Sequence, residues 1–442
     1  MRIENLRTEI RGRKVRRVAT VIWEDSPRPT RDVYFATDEA YAADLAPGQH
    51  AFLTACLIPA MRHGERRIKL DEPIAPELRN GLHINMVYLR SWYGTPRNLV
   101  QIEASTERRQ PIPRTATNAA SFLSGGIDSL ATLRANRLNY PADHPYSIAD
   151  CLIVHGFDIG GREAVGDEAD FFDRTLATLT PIAQDARVHL IPVATNIRHL
   201  DDDVTFWMYE FHGAALAAVA HALCRRISRV CIAGTMHVPF LEPWGSHPAL
   251  DSNYSSVDLQ VEHDGLAMSR LEKVQLIADW DVALRDLRVC TMNPARGLNC
   301  GRCEKCLRTM LELLACGKLA RTSAFPAQDV TADQILNIHI DVEFPAPWYQ
   351  ELVAPLTDRG RADLAHAIQE KLNEFEHHKV WQQEKDWKGL IKRFDRRFLR
   401  GVLYQSYRAT RQVVRSKAPM LQLLAGAATG LDAWAQLPGG LI

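Results

Sequence analysis

Apolar residues in the first quarter of the chain form short runs of two kinds. Runs rich in Val and Ile indicate strands, and apolar residues at helical spacing indicate helices. The predicted strands cover residues 15–23, 32–36, 66–70 and 99–102, and the predicted helices cover residues 50–62 and 77–92. We therefore predict a small α+β appendage over residues 1–110, with a structural or substrate-shaping role.

A linker marked by Pro111 and Pro113 follows, and the pattern then changes. Between residues 115 and 320, short apolar runs alternate with longer amphipathic segments. The predicted strands cover residues 120–123, 151–155, 188–193 and 230–233, and the predicted helices cover residues 130–138, 167–179 and 211–226. Alternating strands and helices are typical of a parallel sheet with helices on both faces. This region is predicted to have an α/β fold.

The third region, residues 321–442, has a mostly helical pattern. Residues 362–387 form a long polar helix pattern, and residues 388–417 are strongly basic with aromatic residues between the charges. Arginine with aromatic residues suits nucleic-acid binding. Basic amphipathic helices more often pack on their own protein or on a membrane surface. A nucleic-acid partner is therefore the less favoured interpretation of this basic stretch.

Composition narrows the classes of protein to which the chain can belong. Its 442 residues suit two or three domains, and 46% hydrophobic and 24% charged residues are typical of a globular protein. The 53 basic residues balance the 53 acidic ones, so net charge gives no argument for a polyanionic partner. The start of the chain is charged, and no apolar stretch is long enough to span a membrane. We expect a cytoplasmic protein.

The most informative motif is Ser-Gly-Gly-Ile-Asp-Ser, which follows an apolar strand and opens a helix. A parallel sheet binds phosphate at such a junction, because glycines allow a tight turn and the helix N-terminus is positive. The serine hydroxyls add donors, and the aspartate is either a helix cap or a Mg²⁺ ligand. The predicted nucleotide-binding residues of this loop are Ser124, Gly125, Gly126, Ile127, Asp128 and Ser129.

This motif resembles the SGGxDS loop of the PP-loop ATP pyrophosphatase superfamily, whose domain is adenine nucleotide alpha hydrolase-like. The loop has no Walker A lysine, so it does not resemble that of a kinase or GTPase. The resemblance implies that ATP, with Mg²⁺, is attacked at its α-phosphate. The products would be pyrophosphate and an adenylated substrate, with Asp128 and Ser129 in catalytic positions.

Two other strand ends fit a nucleotide site less specifically. His155, Gly156 and Phe157 follow the second predicted strand, where relatives of this superfamily hold adenine and ribose. Gly234 and Thr235 follow the fourth predicted strand and can approach the nucleotide. Each segment is predicted to contact nucleotide, with an ordinary strand-to-loop exit as the alternative.

A cysteine cluster lies near residue 300. Cys300, Cys303 and Cys306 have C-x-x-C-x-x-C spacing, and Cys290 lies ten residues before Cys300. Four thiolates at such spacing can close a tetrahedral Zn²⁺ site. An iron–sulfur cluster and simple burial of the thiols are the alternatives. We favour zinc.

The loop and the cysteines together resemble 7-cyano-7-deazaguanine synthase, in which four cysteines bind zinc. That family uses ATP and ammonia to convert a ring carboxylate into an amide and then a nitrile. The resemblance covers about 200 of the 442 residues. The flanking regions have no counterpart, and residues 237–248 replace the family's Ser-Gly-Tyr-Pro-Asp pattern. We therefore expect a divergent, longer relative with its own acceptor substrate.

Candidate substrate residues lie between residues 242 and 273. Trp244 and Tyr254 could stack on a planar ring, and His247 could handle a proton during amine attack. Lys273 resembles the lysine that precedes the zinc region in the family, which implies that it stabilises charge on the α-phosphate. Loop packing and an exposed helical lysine are the alternatives.

The predicted function is an ATP-dependent C–N ligase that acts on a small or nucleobase-like acceptor. Residue 2 is Arg2 and not the cysteine of a glutaminase, so ammonia or an amine would be free or supplied by a partner protein. Sulfur transfer to an RNA nucleobase is one alternative. The other is a non-catalytic nucleotide-binding subunit of a multi-protein system, such as a defence system.

Overall fold

The structure is a computed structural model. It describes residues 1–94, 97–104, 107, 110–159, 168–290, 292, 294, 297–338 and 346–385. The chain divides into two compact units, Met1–Lys371 and Leu372–Ile442. The basic stretch at residues 388–417 lies outside the described residues, so its predicted role stays a prediction. The division of the chain into domains at residues 1–110, 115–320 and 321–442 also stays a prediction.

Ten strands form one mixed sheet in the first unit. They are β1 (Arg2–Arg11), β2 (Lys14–Ile22), β3 (Arg31–Asp38), β4 (Arg67–Leu70), β5 (Gln101–Ala104), β6 (Asn118–Phe122), β7 (Ile148–His155), β8 (His189–Thr195), β9 (Ile227–Ala233) and β10 (Gln260–Asp264). Their spatial order is β10-β9-β6-β7-β8-β3-β2-β1-β4-β5. The sheet is mostly parallel, and the α/β fold class is confirmed.

The strand order places a switch point beside β6. From β6 the chain builds β7 and β8 on one side, and it then returns to build β9 and β10 on the other. All five of these strands are parallel. In open α/β sheets, ligands bind at the carboxyl ends of the strands where the order reverses. The carboxyl end of β6 is therefore the expected site.

The N-terminal strands continue the same sheet. β3 pairs antiparallel with β8, and β2 and β1 follow antiparallel, while β4 and β5 add parallel to β1. Joining the two halves gives one hydrophobic core, which contains residues from Met1 to Val261. The first 110 residues thus contribute half of the strands and share the core of the α/β region.

The helices connect and cover these strands. The longer ones are α1 (His50–Arg62), α2 (Pro76–Tyr93), α3 (Ile127–Asn139), α4 (Glu168–Asp185), α6 (His212–Ala222), α8 (Arg270–Ile277), α10 (Glu304–Ala315) and α14 (Ala362–Lys385). The short ones are α5 (Val204–Phe206), α7 (Pro248–Asp251), α9 (Asp281–Arg285), α11 (Ala332–Leu336), α12 (Ala346–Gln350) and α13 (Val353–Asp358). A π-helical turn, Trp207–Phe211, separates α5 from α6. Short 3₁₀ turns cover Glu39–Asp44, Ile197–Leu200, Val238–Phe240, Ser252–Tyr254 and Leu319–Arg321. Among the described residues, no helix combines the length and apolarity that crossing a bilayer requires.

Two strands were missed by the sequence analysis, both for the same reason. In β1 only Ile3 is buried, and in β10 only Val261 is buried. A strand with one buried position shows no apolar alternation, which is the signal that predicts strands. Helix α1 is the opposite case, since every position except Arg62 is buried. Its apolar residues recur at helical spacing, which is why it was predicted.

Candidate functional site

The loop between β6 and α3 is built for close backbone approach. Gly125 has φ +80°, and Gly126 is the extended N-cap of α3. Ser129 Oγ donates to Gly126 O at 2.9 Å, and Ser124 Oγ lies 3.3 Å from Ser129 Oγ. The two serines therefore brace the turn, and the first N–H groups of α3 remain available to an anion.

Glycine is required at residue 125. A Cβ there would lie 2.9 Å from Leu179 Cδ2 and 3.2 Å from Arg288 Cβ, and the positive φ would add strain. The backbone also packs closely, because Arg288 N–H donates to Gly125 O at 2.8 Å. The loop is thus fixed against residue 288, which lies far along the chain.

Asp128 sits between two cations from α8. Arg270 Nη1 lies 3.2 Å from Asp128 Oδ2, and Lys273 Nζ lies 3.4 Å from Asp128 Oδ1. Gly126 is the N-cap of α3, and Asp128 makes none of the described hydrogen bonds that would cap this helix. Its carboxylate is 22% exposed and lines a cleft, so a metal ion brought by a ligand could reach it.

The buried carboxylate of Glu312 binds the side chain of Arg270. Arg270 Nε donates to Glu312 Oε1 at 3.1 Å, and the Glu312 side chain has no exposed surface. Burial raises the pKa of Glu312, and the charge of Arg270 opposes that shift. The chain Glu312–Arg270–Asp128 thus connects α10 and α8 to the loop.

Lys273 is the most buried cation of the site, at 1% exposure. Its Nζ donates to Gly234 O at 2.7 Å and lies 3.5 Å from Thr235 O. Residue 234 has no room for a side chain, because a Cβ there would lie 2.3 Å from His263 Nε2. Lys273 therefore joins the end of β9 to Asp128. The sequence analysis allowed an exposed lysine here, and the structure excludes that alternative.

These elements surround a cleft of about 260 Å³ at the carboxyl ends of the parallel strands. Predicted residues that line it are Ser124, Asp128, Ser129, Phe157 and Thr235. Trp244, a candidate for stacking on a planar ring, also lines it. The lining includes further residues that were not predicted as site residues: Phe122, Leu123, Leu152, Ile153, Val154, Asp158, Ile159, Thr175, His212, Leu216, Ile232, Ala233, Ser246 and Arg288. The lining residues from the strands are apolar, and the polar ones come from loops and helices, a mixture common in small-molecule sites.

The segment after β7 supports the cleft in different ways. Gly156 has φ +112°, and a Cβ there would lie 1.8 Å from Thr195 O, so only glycine fits. Phe157 packs on Trp207 at 5.0 Å between ring centroids. His155 packs edge-on against Phe172, and burial lowers its pKa. Phe157 lines the cleft, whereas His155 and Gly156 are not among its lining residues.

His247 lies outside the lining of the cleft. It is the N-cap of α7, where its Nδ1 accepts from Ala249 N–H at 3.0 Å. Its ring packs against Trp92 at 5.0 Å between centroids, and burial lowers its pKa. These contacts account for the residue by local packing, and its catalytic role stays a prediction.

Arg288 is the main cation that the sequence analysis missed. It lines the cleft, is 6% exposed, and its Nη1 lies 3.4 Å from Ser124 O. Burial lowers the pKa of its guanidinium, which stays charged because arginine does not deprotonate in proteins. Its position two residues before Cys290 was the available signal, since a cysteine cluster fixes the backbone on either side.

The four cysteines come together. Their Sγ atoms all lie within 4.8 Å of one another, with Cys290 to Cys303 at 3.8 Å and Cys300 to Cys306 at 3.9 Å. Four sulfurs at zinc's bond length occupy the corners of a tetrahedron with edges of about 3.8 Å. The cluster could hold one metal ion, and its size is consistent with Zn²⁺.

An iron–sulfur cluster fits this geometry poorly. In a four-iron cluster the cysteines surround a multi-atom core, so their sulfurs stand farther apart than the edge of a single-ion tetrahedron. Disulfides are also absent, since all nine cysteines are described and free. Cys303 N–H donates to Cys300 Sγ at 3.3 Å, which helps to hold the turn between these two cysteines.

Asn299 joins the cysteine cluster to Arg288. Its Oδ1 accepts from Val289 N–H at 2.9 Å and from Cys290 N–H at 3.2 Å. Its Nδ2 donates to Leu287 O at 2.7 Å and to Ala324 O at 2.9 Å. The side chain is 6% exposed, so these bonds are shielded from water. Metal binding at the cysteines would therefore stabilise the segment that carries Arg288.

Comparison with known proteins adds no further identification. No protein-family model, curated protein or solved structure matches the chain.

Proposed function

We propose that the protein is an ATP-dependent ligase of the PP-loop type, related to 7-cyano-7-deazaguanine synthase. It would adenylate a carboxylate of a small or nucleobase-like acceptor, release pyrophosphate, and form a C–N bond with ammonia or an amine. The observation that carries the proposal is the serine–glycine loop at the switch point of the sheet, beside the cations Arg288 and Lys273.

Each part of the site has a role in this proposal. The N–H groups at the start of α3 and the serine hydroxyls would bind phosphate oxygens. Arg288, which lines the cleft beside the loop, would bind the same anion. Lys273 and Arg270 would stabilise the charge that develops at the α-phosphate, through Asp128 and any Mg²⁺ that it holds. Asp128 is the carboxylate of the loop suited to such an ion.

The cysteine cluster would hold Zn²⁺ in a structural role. All four positions of the tetrahedron are protein thiolates, and a catalytic zinc site keeps one position open for water or substrate. Through Asn299 the site would fix Arg288 against the phosphate loop.

Sulfur transfer is less well supported, because a carrier cysteine must form a thiolate. Burial raises the pKa of Cys56, Cys151 and Cys231 to about 12, and that of Cys316 to about 11. These thiols stay protonated at neutral pH. The remaining thiols besides Cys224 belong to the cluster, so C–N ligation is the better proposal.

The proposal is tested by determining which phosphate bond of ATP is cleaved. The full chain is incubated with α-labelled ATP, Mg²⁺, ammonium chloride and a deproteinised metabolite extract, and AMP is resolved from ADP. Asp128→Asn is the matched variant, since it removes the charge and keeps the size of the side chain. We expect AMP and pyrophosphate from the wild type and at least a 100-fold slower rate from the variant.

Two outcomes would contradict the proposal. Formation of ADP and phosphate would exclude adenylation. Tight ATP binding without turnover would instead support a non-catalytic subunit that requires its partner proteins.

A further inference from the structure

His212 stands at an irregular point of the cleft wall. It is the first residue of α6, directly after the π-helical turn Trp207–Phe211. Such turns insert an extra residue into a helix and are frequent at functional sites, because they change the direction of the following side chains. His212 lines the cleft together with Trp244 and Ser246.

Two glycines make room for this histidine. A Cβ at Gly245 would lie 2.6 Å from His212 Nδ1, and a Cβ at Gly213 would lie 2.3 Å from Gly245 O. The loop that carries Trp244 is fixed to the helix, because Gly213 N–H donates to Gly245 O at 3.0 Å and Gly245 N–H donates to Met208 O at 3.1 Å. The imidazole is therefore held in one place by backbone contacts.

Hydrogen bonding determines the tautomer of His212. Nδ1 lies 3.1 Å from Trp207 O, and a carbonyl can only accept, so Nδ1 carries the proton. Burial lowers the pKa of His212, and the charges of Asp251 and Asp158 oppose this shift without reversing it. At neutral pH the ring is neutral, so Nε2 carries the lone pair.

The other ionisable residues that line the described cleft are Asp128, Asp158 and Arg288. Asp128 already contacts two cations, Arg288 is a cation, and a carboxylate is a weaker base than imidazole. Accepting a proton from an amine at neutral pH is therefore a role that His212 alone among these four residues suits.

We propose that His212 Nε2 is the general base for the nitrogen nucleophile, an inference that rests on the proposed ligase function. The lone pair of ammonia or an amine attacks the carbonyl carbon of the adenylate, and the C–N bond forms. The bond from carbon to the phosphate oxygen breaks, and AMP leaves with its electron pair. The proton lost by nitrogen passes to Nε2 and then to water.

This role is tested by measuring the two half-reactions, adenylation and attack by the amine, separately. His212→Asn keeps an N–H near Trp207 O and removes the Nε2 base, and His189→Asn on the opposite end of the strands is the control. In ammonia-depleted extract with labelled ATP, we expect a pyrophosphate burst of similar size from the wild type and both variants. After ammonium chloride is added, we expect steady turnover by His212→Asn to be about 100-fold slower than by the wild type.

Hydroxylamine and pH sharpen the test. Hydroxylamine is largely unprotonated at neutral pH, and its nitrogen, once bonded to carbon, is acidic enough to lose its proton to water, so it should restore turnover by His212→Asn to within about tenfold of the wild type. Wild-type turnover should fall at low pH with an inflection below the ordinary histidine pKa, and His212→Asn should lack that inflection. Unchanged turnover with ammonia in His212→Asn would contradict the role of His212 as the base without contradicting the proposed ligase function. Absence of a burst in the wild type would overturn the ligase itself.

Discussion

The two halves of the sheet differ in how far the cationic side chains beside their strands are exposed. In the N-terminal half, β1 to β3 carry ion pairs at the surface, such as Arg7 with Glu9 at 2.8 Å, whose side chains are 35% and 25% exposed. In the other half, the cations near β6 and β9 are buried: Lys273 is 1% exposed, and Arg270 contacts the fully buried Glu312. One sheet thus supports two electrostatic environments.

Exposed and buried charges also differ in their effect on stability. Exposed ion pairs contribute roughly 0–1 kcal/mol to stability. Buried charges cost several kcal/mol to desolvate and are retained where they have another use. Lys273 and Arg270 both contact Asp128, whereas the fully buried pair of the Met1 amino group and Glu65 lies in the N-terminal half, so it is contact with Asp128 and not burial alone that distinguishes these two cations.

The largest effect is expected from the cysteine cluster. Cys303→Ser should lose the metal and lower the free energy of unfolding by several kcal/mol, since structural zinc contributes on the order of 10 kcal/mol to the folding of small domains. Cys56→Ala, in the buried helix α1, should retain the metal. Elemental analysis and thermal denaturation measure both, and full metal content in Cys303→Ser would contradict the assigned site.

The second prediction compares two lysines. Lys273→Met removes the buried cation beside Asp128 and should slow pyrophosphate release about 100-fold or more. Lys14→Met, at an exposed position of β2, should leave the rate unchanged. The assay is the labelled-ATP assay above. Equal rates for the two variants would contradict the proposed role of Lys273 at the α-phosphate.

Two glycines with positive φ extend the comparison to the backbone. Gly12, in the turn between β1 and β2, has open space where a Cβ would lie, and Gly12→Ala should cost about 1–2 kcal/mol. In Gly156→Ala the Cβ overlaps Thr195 O, so we expect a loss of about 3 kcal/mol or more. Urea denaturation gives both values, and similar losses would mean that the β7–β8 contact relaxes easily.

The smallest effect is expected at the surface of the N-terminal half. A hydrogen bond from Arg67 lowers the pKa of Glu24 to about 2. Its contribution to stability is therefore complete above the ordinary value of about 4.5 and disappears as the pH falls to about 2. Glu24→Gln should cost about 0.5–1 kcal/mol at pH 7 and almost nothing near pH 2. A loss that does not change with pH would argue for packing as its cause.

Much of the fold could be predicted because its signals are local. Four apolar runs predicted β6 to β9, and the helical spacing of residues 50–62 predicted α1 with its observed bounds. The loop between β6 and α3 was predicted to bind phosphate because six adjacent residues carry its motif. β10 was missed because a polar edge strand is recognised only by its pairing with β9.

The candidate site shows the same limit. Asp128 and the cysteines were predicted from spacing, but Arg288 and His212 were missed as site residues. Arg288 reaches the loop through a backbone bond to Gly125, from 163 residues away. His212 enters the cleft because of a π-helical turn that no residue pattern announces.

The sequence by itself determined the α/β alternation, the phosphate-loop motif and the four-cysteine spacing, since each depends on residues close together in the chain. Tertiary structure decided that the N-terminal strands extend the same sheet. It also decided which cations meet Asp128 and which histidine lines the cleft. These contacts join α3, α6, α8 and the segment before Cys290, and only the strand order brings them to one edge.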